Sequence, residues 1–157
     1  MAGLRIVWVG RSQHPFVEQG IAYYRERIAP YQALELVEVR AAAHSGRDPA
    51  QALRKEGEAI LKRLAPDDPV VLLDERGREF NTQELADWLG ERQAAAGRAV
   101  TFVIGGAYGV DGSVRRRAGM ALALSRLTLP HQLVRVVLLE QLYRVLSLRA
   151  GHGYHHD

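Results

Sequence analysis

The chain contains no cysteine, which excludes disulfides, catalytic thiols and thiolate metal sites. It also lacks an apolar run that is long and uncharged enough to span a bilayer, since the nearest candidate, Leu133 to Leu148, includes Arg135, Glu140 and Arg144. No leader-like apolar region with a small-residue cleavage site follows the first residues. These absences predict a cytoplasmic protein that does not enter a membrane.

Lysine is scarce, with 2 residues against 19 arginines, and the net charge is only +3. The charge is unevenly distributed, however. Residues 1–112 carry 14 basic and 16 acidic side chains, whereas residues 113–157 carry 7 arginines against two acidic side chains, together with four of the six histidines. A basic surface concentrated in one segment suits a polyanionic partner such as RNA. An arginine-coated surface with no such partner is the alternative, and charge alone does not decide between them.

The length of 157 residues, with 47% hydrophobic and 25% charged residues, indicates one globular domain over residues 1–157. Five short apolar or β-branched runs predict strands, and helical patterns separate them. The predicted strands are Leu4–Val9, Leu34–Val39, Val70–Leu73, Val100–Ile104 and Met120–Leu124. Alternating strands and helices predict an α/β fold in which a parallel sheet is covered on both faces.

Two helix starts have clear local signals. Asp48 followed by Pro49 predicts an N-cap with proline in the first turn, and Asn81 followed by Glu84 resembles a capping box. The last helix, about His131 to Arg149, is apolar nearly all round and must therefore be covered on more than one side. We expect a second subunit to provide that cover; the alternative is a helix wedged between the sheet and neighbouring helices.

The carboxyl ends of parallel strands form the usual ligand crevice, and four loops are expected there. They are Gly10–His14, Asp74–Arg78, Gly105–Gly112 and Ser125–His131. Gly105-Gly106 can bring backbone close to a ligand, although it matches no phosphate-loop spacing and a tight strand-to-helix turn is an equal alternative. For Asp74, an ordinary polar turn is the favoured interpretation.

The loop before the last helix and the end of the chain carry further candidates. Pro130 biases Leu129 to an extended backbone, whose free main-chain groups could pair with an adenine edge. His131 lies near the helix start, where the dipole favours its neutral form, although a histidine at that position is more often a bystander. The tail Gly151–Asp157 could be frayed, or Tyr154 and the imidazoles could stack on a splayed base. No rigid element fixes its histidines, so no metal is predicted.

These motifs together resemble those of the SPOUT-class methyltransferases, specifically the small bacterial enzymes that methylate N3 of a pseudouridine in large-subunit ribosomal RNA. The resemblance covers nearly the whole chain. It rests on Val7-Trp8-Val9-Gly10, Lys55-Glu56-Gly57-Glu58, Leu72-Leu73-Asp74, Ile104-Gly105-Gly106, Leu127-Thr128-Leu129-Pro130-His131, Leu133-Val134-Arg135, Glu140-Gln141-Leu142-Tyr143-Arg144 and the tail residues His152, Tyr154 and His155.

The resemblance implies a single-domain α/β/α sandwich with a C-terminal trefoil knot, which is a rare exception to the rule against threaded chains. It implies S-adenosylmethionine as cofactor, a homodimer through the knot and last helix, and a pseudouridine in helix 69 of 23S rRNA within the assembled ribosome as substrate. The implied cofactor-binding residues are Leu73, Gly105, Gly106, Leu124, Ser125, Arg126, Leu127, Thr128 and Leu129. The catalytic candidates are His131, Tyr154 and His155, and the RNA-binding candidates are Arg135, Arg144 and His152.

The tail departs from the family pattern. Gly151, Gly153 and His156 stand where the family usually has asparagine, proline and a basic residue, so the tail's role is the least secure part of the resemblance. The main alternative function is a non-catalytic RNA-binding factor in ribosome assembly. A flavodoxin-like nucleotide-binding domain is a third interpretation, and the absence of a phosphate-loop motif argues against it.

Overall fold

The computed structural model describes residues 3–43 and 48–152, in which strands and helices alternate along the chain. The elements are β1 (Leu4–Val9), α1 (Pro15–Ile28), β2 (Leu34–Val39), α2 (Pro49–Leu61), β3 (Val70–Arg78), α3 (Thr82–Ala96), β4 (Val100–Ile104), α4 (Gly112–Arg117), β5 (Met120–Leu122) and α5 (His131–Arg149). The strands form one sheet in the order β2-β1-β4-β3-β5, and every strand pair is parallel. The predicted α/β class with a parallel sheet is confirmed.

Both faces of the sheet are covered, because successive side chains of a strand point to opposite faces. In β1, Leu4, Ile6 and Trp8 belong to the core cluster that includes residues of α1, α3 and α5. Val7 and Val9 belong to a second cluster with residues of α2 and α4. Burial on both faces explains why the central strands are nearly continuous apolar runs.

Three strands have the predicted bounds, and two do not. β3 continues to Arg78 instead of ending at Leu73, and β5 ends at Leu122 instead of Leu124. The reason is a register shift: Leu73 pairs with Leu122, the chain bulges outward, and Arg78 then pairs with Leu122 again. Because the residues of the bulge are mostly polar, apolar alternation in the sequence does not predict this second pairing.

The predicted helix starts are confirmed. The Asp48 side chain accepts a hydrogen bond from the Gln51 amide at 3.1 Å, with Pro49 in the first turn. The Asn81 side chain accepts from the Glu84 amide at 2.8 Å, and the Glu84 carboxylate accepts from the Asn81 amide at 2.9 Å. Each cap satisfies amides that have no partner inside the helix.

Helix α5 has the predicted bounds and packs against α1 and α3 within the same chain. The neighbouring helices α1 and α3 therefore cover part of α5, as the alternative interpretation predicted. One strip of α5 still lies outside both core clusters and is only half-buried: Leu133, Val137, Glu140, Gln141 and Arg144. Within the described parts of the chain, no helix is long and apolar enough to cross a membrane.

Candidate active site

A pocket of about 430 Å³ lies at the carboxyl edge of the sheet. Its walls come from the ends of β3 and β4, the segment after β5, and the first turns of α4 and α5. The lining residues are Leu73, Asp74, Glu75, Arg76, Ile104, Gly105, Gly106, Gly109, Val110, Arg115, Leu122, Leu124, Ser125, Leu127, Thr128, Leu129, His131 and Val134. A concave, mostly apolar site with a few polar groups at this edge is typical of a small-molecule site.

The structure brings together eight of the nine residues that the resemblance implies for the cofactor. They are Leu73, Gly105, Gly106, Leu124, Ser125, Leu127, Thr128 and Leu129. The ninth, Arg126, does not line the pocket. Its side chain is 83% exposed and its Nε lies 4.0 Å from Glu79 Oε1. The Ser125 hydroxyl accepts a hydrogen bond from the Leu127 amide at 3.0 Å, and this turn leaves Arg126 outside the pocket.

The glycine loop is a tight turn, and its residues Gly105, Gly106 and Gly109 also line the pocket. The Gly109 amide donates to the Gly106 carbonyl at 3.0 Å, and Gly109 has φ +86, a conformation that favours glycine. A Cβ on Gly105 would lie 2.8 Å from the Gly109 carbonyl oxygen and 2.8 Å from Val110 Cγ1. Any larger residue at position 105 would force this turn open.

Asp74 and Arg115 form an ion pair on the pocket wall. The Asp74 carboxylate also accepts a hydrogen bond from the Arg76 amide at 2.9 Å. Burial raises the pKa of Asp74, but the hydrogen bonds from Arg76 and Arg115 outweigh it and hold the pKa below the usual value. Asp74 is therefore a charged carboxylate at neutral pH. Its bond from the Arg76 amide is the polar turn that the sequence predicted, and the ion pair with Arg115 is an addition that the turn did not predict.

His131 begins α5 and lines the pocket, with Pro130 at the N-cap position. Burial lowers the pKa of His131, and the positive charge of Arg135 lowers it further. The imidazole is therefore neutral at physiological pH, as the sequence predicted. The causes are burial first and then the neighbouring cation Arg135, neither of which the prediction included.

Arg135 is fully buried, which contradicts its predicted role as an RNA contact. Its guanidinium donates to the Val9 carbonyl at 2.7 Å and to the Ser12 hydroxyl at 3.1 Å, and it lies 4.8 Å from the centre of the Trp8 ring. Burial lowers the pKa of Arg135 to about 10, so the group stays protonated at neutral pH. A buried, fully charged guanidinium bonded to the end of β1 joins α5 to the sheet.

The loop Gly10–His14 holds α5 in place and does not line the pocket. Gln132 accepts a hydrogen bond from the Gln13 amide and donates one to the Arg11 carbonyl, both at 3.0 Å. Of the four loops expected at the carboxyl edge, this one therefore positions the helix that carries His131. The segments Gly105–Gly112 and Ser125–His131 contribute to the pocket walls. The prediction of a loop over Asp74–Arg78 was wrong, because these residues continue β3 through its bulge, although Asp74 and Arg76 do line the pocket.

The remaining predicted residues lie away from the pocket lining or outside the described residues. Arg144 is half-buried and donates to the Glu140 carboxylate, with its Nε at 3.0 Å. His152 is exposed and contacts the Tyr31 hydroxyl through Nδ1. Tyr154 and His155 lie outside the described residues. Across the described residues, no group of three His, Cys, Asp or Glu side chains could hold a metal ion.

Sequence reasoning missed Arg115, Val134 and the ion-paired role of Asp74. Arg115 lies in the first turns of a six-residue helix directly after the glycine loop, so its position could have been inferred once that helix was recognised. Its partner Asp74 ends the apolar run of β3, at the same edge. Only the sheet order, which places β3 beside β4, shows that the two side chains meet.

Comparisons with known proteins agree over the whole chain. The family described as "Predicted SPOUT methyltransferase" matches residues 3–155. A protein of Gloeobacter violaceus called Ribosomal RNA large subunit methyltransferase H is 45% identical over 153 residues, which are 98% of this chain and 98% of the relative. A protein of the same name from Trichlorobacter lovleyi is 40% identical over 157 residues, covering 98% of this chain and 99% of the relative.

One solved structure with a similar overall shape is the SpoU methyltransferase AviRb from Streptomyces viridochromogenes, in complex with AdoMet. It is 13% identical to this chain, with a TM-score of 0.47. The match covers 96% of this chain but only 59% of that one.

Proposed function

Because the chain belongs to the SPOUT methyltransferase family, we propose that it transfers the methyl group of S-adenosylmethionine to a base of large-subunit ribosomal RNA. The observation that carries the proposal is the pocket at the carboxyl edge. It gathers nearly all the residues that the family motifs assign to the cofactor, in a chain that matches relatives named ribosomal RNA large subunit methyltransferase H from end to end.

The pocket fits S-adenosylmethionine in size and chemistry. Its volume of about 430 Å³ is in the range of sites for drug-sized ligands. The segment from Leu124 to Leu129 supplies apolar side chains together with main-chain groups, which suit the flat adenine ring and its hydrogen-bonding edge. Gly105 and Gly106 add backbone with no side chain in the way. Asp74 and Arg115 supply opposite charges on the same wall.

The cofactor, when bound, supplies a methyl group that its sulfonium already activates. The remaining task of the protein is to align the two reactants and to manage one proton. N3 of the base must lose its proton to become a nucleophile, and His131 is our candidate base on the pocket wall because its imidazole is neutral at physiological pH. Tyr154 and His155 remain catalytic candidates by family resemblance.

For the substrate, we propose N3 of a pseudouridine in helix 69 of 23S rRNA, within the assembled ribosome. The family motifs and the basic character of residues 113–157 support this assignment. His152 is exposed and remains a candidate for RNA contact, and Arg144 remains one by family resemblance alone. Because Arg135 is buried, our candidate for RNA contact beside the pocket is instead Arg76, which lines the pocket and has a side chain 76% exposed.

We further propose a homodimer through α5 and a trefoil knot in the C-terminal part of the chain. The half-buried strip of α5 (Leu133, Val137, Glu140, Gln141 and Arg144) supports the dimer, because two apolar side chains beside polar ones suit a surface that a second copy covers. Sedimentation of the purified protein tests the dimer, and a monomer at micromolar concentration would contradict it.

The proposed activity is tested by mass mapping of 23S rRNA after incubation with purified protein and S-adenosylmethionine. We expect one added methyl group in the helix 69 fragment of ribosomes that lack the modification. Naked 23S rRNA and separated large subunits serve as comparison substrates for the ribosome requirement. If calorimetry detected no binding of S-adenosylmethionine, the alternative of a non-catalytic RNA-binding assembly factor would replace this proposal.

A further inference from the structure

The charged groups of the pocket all lie on one wall. Asp74 in the middle of β3 and Arg115 on α4 form an ion pair there, and Glu75 and Arg76 lie beside them. Asp74 has a side chain only 10% exposed, whereas that of Arg115 is 45% exposed. The wall formed by residues 124–129 and by Val134 on α5 carries no charged side chain in the lining. The pocket is therefore polarised, with one charged wall and one mostly apolar wall.

Arg115 is held firmly at that wall. The Asp111 carboxylate accepts hydrogen bonds from the Ser113 amide at 3.2 Å and from the Ser113 hydroxyl at 2.5 Å, which caps the helix that carries Arg115. The next residue, Val114, is fully buried in the core on that face of the sheet. The cap and the buried Val114 fix the helix backbone from which the Arg115 side chain extends.

Both members of the pair keep hydrogen-bonding capacity for a ligand. A carboxylate offers about four acceptor sites. Asp74 receives the Arg76 backbone amide and Nε on one oxygen and Arg115 on the other. A guanidinium has about five N–H donors, and the described contacts of Arg115 engage its Nη1 with Asp74 alone. A ligand that carries one cation and one anion can therefore bind both groups without breaking the ion pair.

S-adenosylmethionine has that charge pattern at one end, where an ammonium and a carboxylate share one carbon. On the basis of the proposed function, we infer that Asp74 and Arg115 form the subsite for the amino-acid end of the cofactor. Asp74 accepts hydrogen bonds from the ligand ammonium, and Arg115 donates to the ligand carboxylate. The adenosine end then lies along residues 124–129, where the lining is apolar and main-chain groups are available.

Two ligands separate this subsite from the rest of the pocket. S-adenosylhomocysteine has the amino-acid end, whereas 5′-methylthioadenosine keeps the adenosine and the sulfur but lacks that end. Their affinities are measured by calorimetry for the wild type and for Arg115→Ala and Asp74→Asn. Arg116→Ala is the matched control for Arg115→Ala. Arg116 is the neighbouring arginine on α4, its loss changes the net charge by the same amount, and it does not line the pocket.

We expect Arg115→Ala and Asp74→Asn to weaken binding of S-adenosylhomocysteine by at least about tenfold, the usual effect of losing a charge-assisted hydrogen bond. Their affinity for 5′-methylthioadenosine should stay within about twofold of the wild type, which also shows that the pocket is intact. Arg116→Ala should change neither affinity.

An equal loss for both ligands, or no loss for either, would overturn the assignment of the subsite while leaving the proposed function intact. A wild-type protein that binds neither ligand would instead overturn the proposed cofactor, and this inference with it.

Discussion

Gly77 is the position at which a single methyl group should do most damage to the pocket. It lies in the bulge of β3, where the backbone passes directly over β5. A Cβ at this position would lie 2.6 Å from both the carbonyl carbon and the oxygen of Ala121, and 2.8 Å from the Leu122 amide nitrogen. All three neighbours are backbone atoms, which cannot rotate away as a side chain would.

The expected cost of Gly77→Ala follows from this geometry. Unstrained carbon contacts begin at about 3.5 Å, so the two strands must separate by roughly 1 Å. Overpacking of this kind costs about 1–3 kcal/mol, and the upper half of that range applies because backbone must move. Alanine also restricts the unfolded chain, which offsets about 0.4–1 kcal/mol. The net loss in the free energy of unfolding is therefore about 2 kcal/mol, or about 4–8 °C in Tm for a domain of this size.

Urea and thermal unfolding of the purified protein measure this loss, and calorimetry with S-adenosylhomocysteine measures the effect on the pocket wall at Asp74. Gly119→Ala is the control, since its Cβ would meet only the Val70 carbonyl oxygen, at an ordinary 3.8 Å. It should leave the free energy of unfolding unchanged or raise it by up to about 1 kcal/mol, because alanine restricts the unfolded chain and meets no clash there. If Gly77→Ala were as stable as Gly119→Ala, the close approach of β3 to β5 would be wrong.

Three further variants test separate parts of the structure. Asn81→Ala removes the N-cap of α3, so the free energy of unfolding measured by urea titration should fall by about 1 kcal/mol. Binding of S-adenosylhomocysteine should not change. An unaltered urea midpoint would contradict the capping box. Gly105→Ala should weaken binding of S-adenosylhomocysteine, measured by calorimetry, by more than about tenfold. The reason is that its Cβ would lie 2.8 Å from the Gly109 carbonyl oxygen. Wild-type affinity of this variant would refute the tight turn. The folded-state pKa of His131 lies below its unfolded value of 6.5, so its contribution to stability is present above that pH and is lost as the pH falls through the folded pKa. His131→Asn should therefore reduce the loss of stability between about pH 7 and pH 5, and equal pH profiles of the two proteins would refute a lowered pKa.

Local sequence signals determined most of the fold. The strands β1 and β4 have their predicted bounds because each is a largely apolar run buried on both faces. The edge strand β2 has them because four of its six residues are leucine or valine, although Glu35 and Glu38 are exposed. The caps at Asp48 and Asn81 depend only on residues within one turn. Such features require no knowledge of distant partners. The pocket residues from Leu124 to Leu129 were predicted by family resemblance rather than by local physics, and the exception at Arg126 depends on the direction of a single turn.

Only the tertiary structure decided the features that require two distant segments to meet. The extension of β3 to Arg78 exists because Gly77 can approach Ala121, and the ion pair of Asp74 with Arg115 joins residues 41 positions apart. Arg135 shows the same limit most clearly. Its sequence neighbourhood suited an RNA contact, but the 3.6-residue period of α5 turns it toward the end of β1, where it is buried. The side chain's chemistry was given by the sequence, and its role was decided by what the fold placed opposite it.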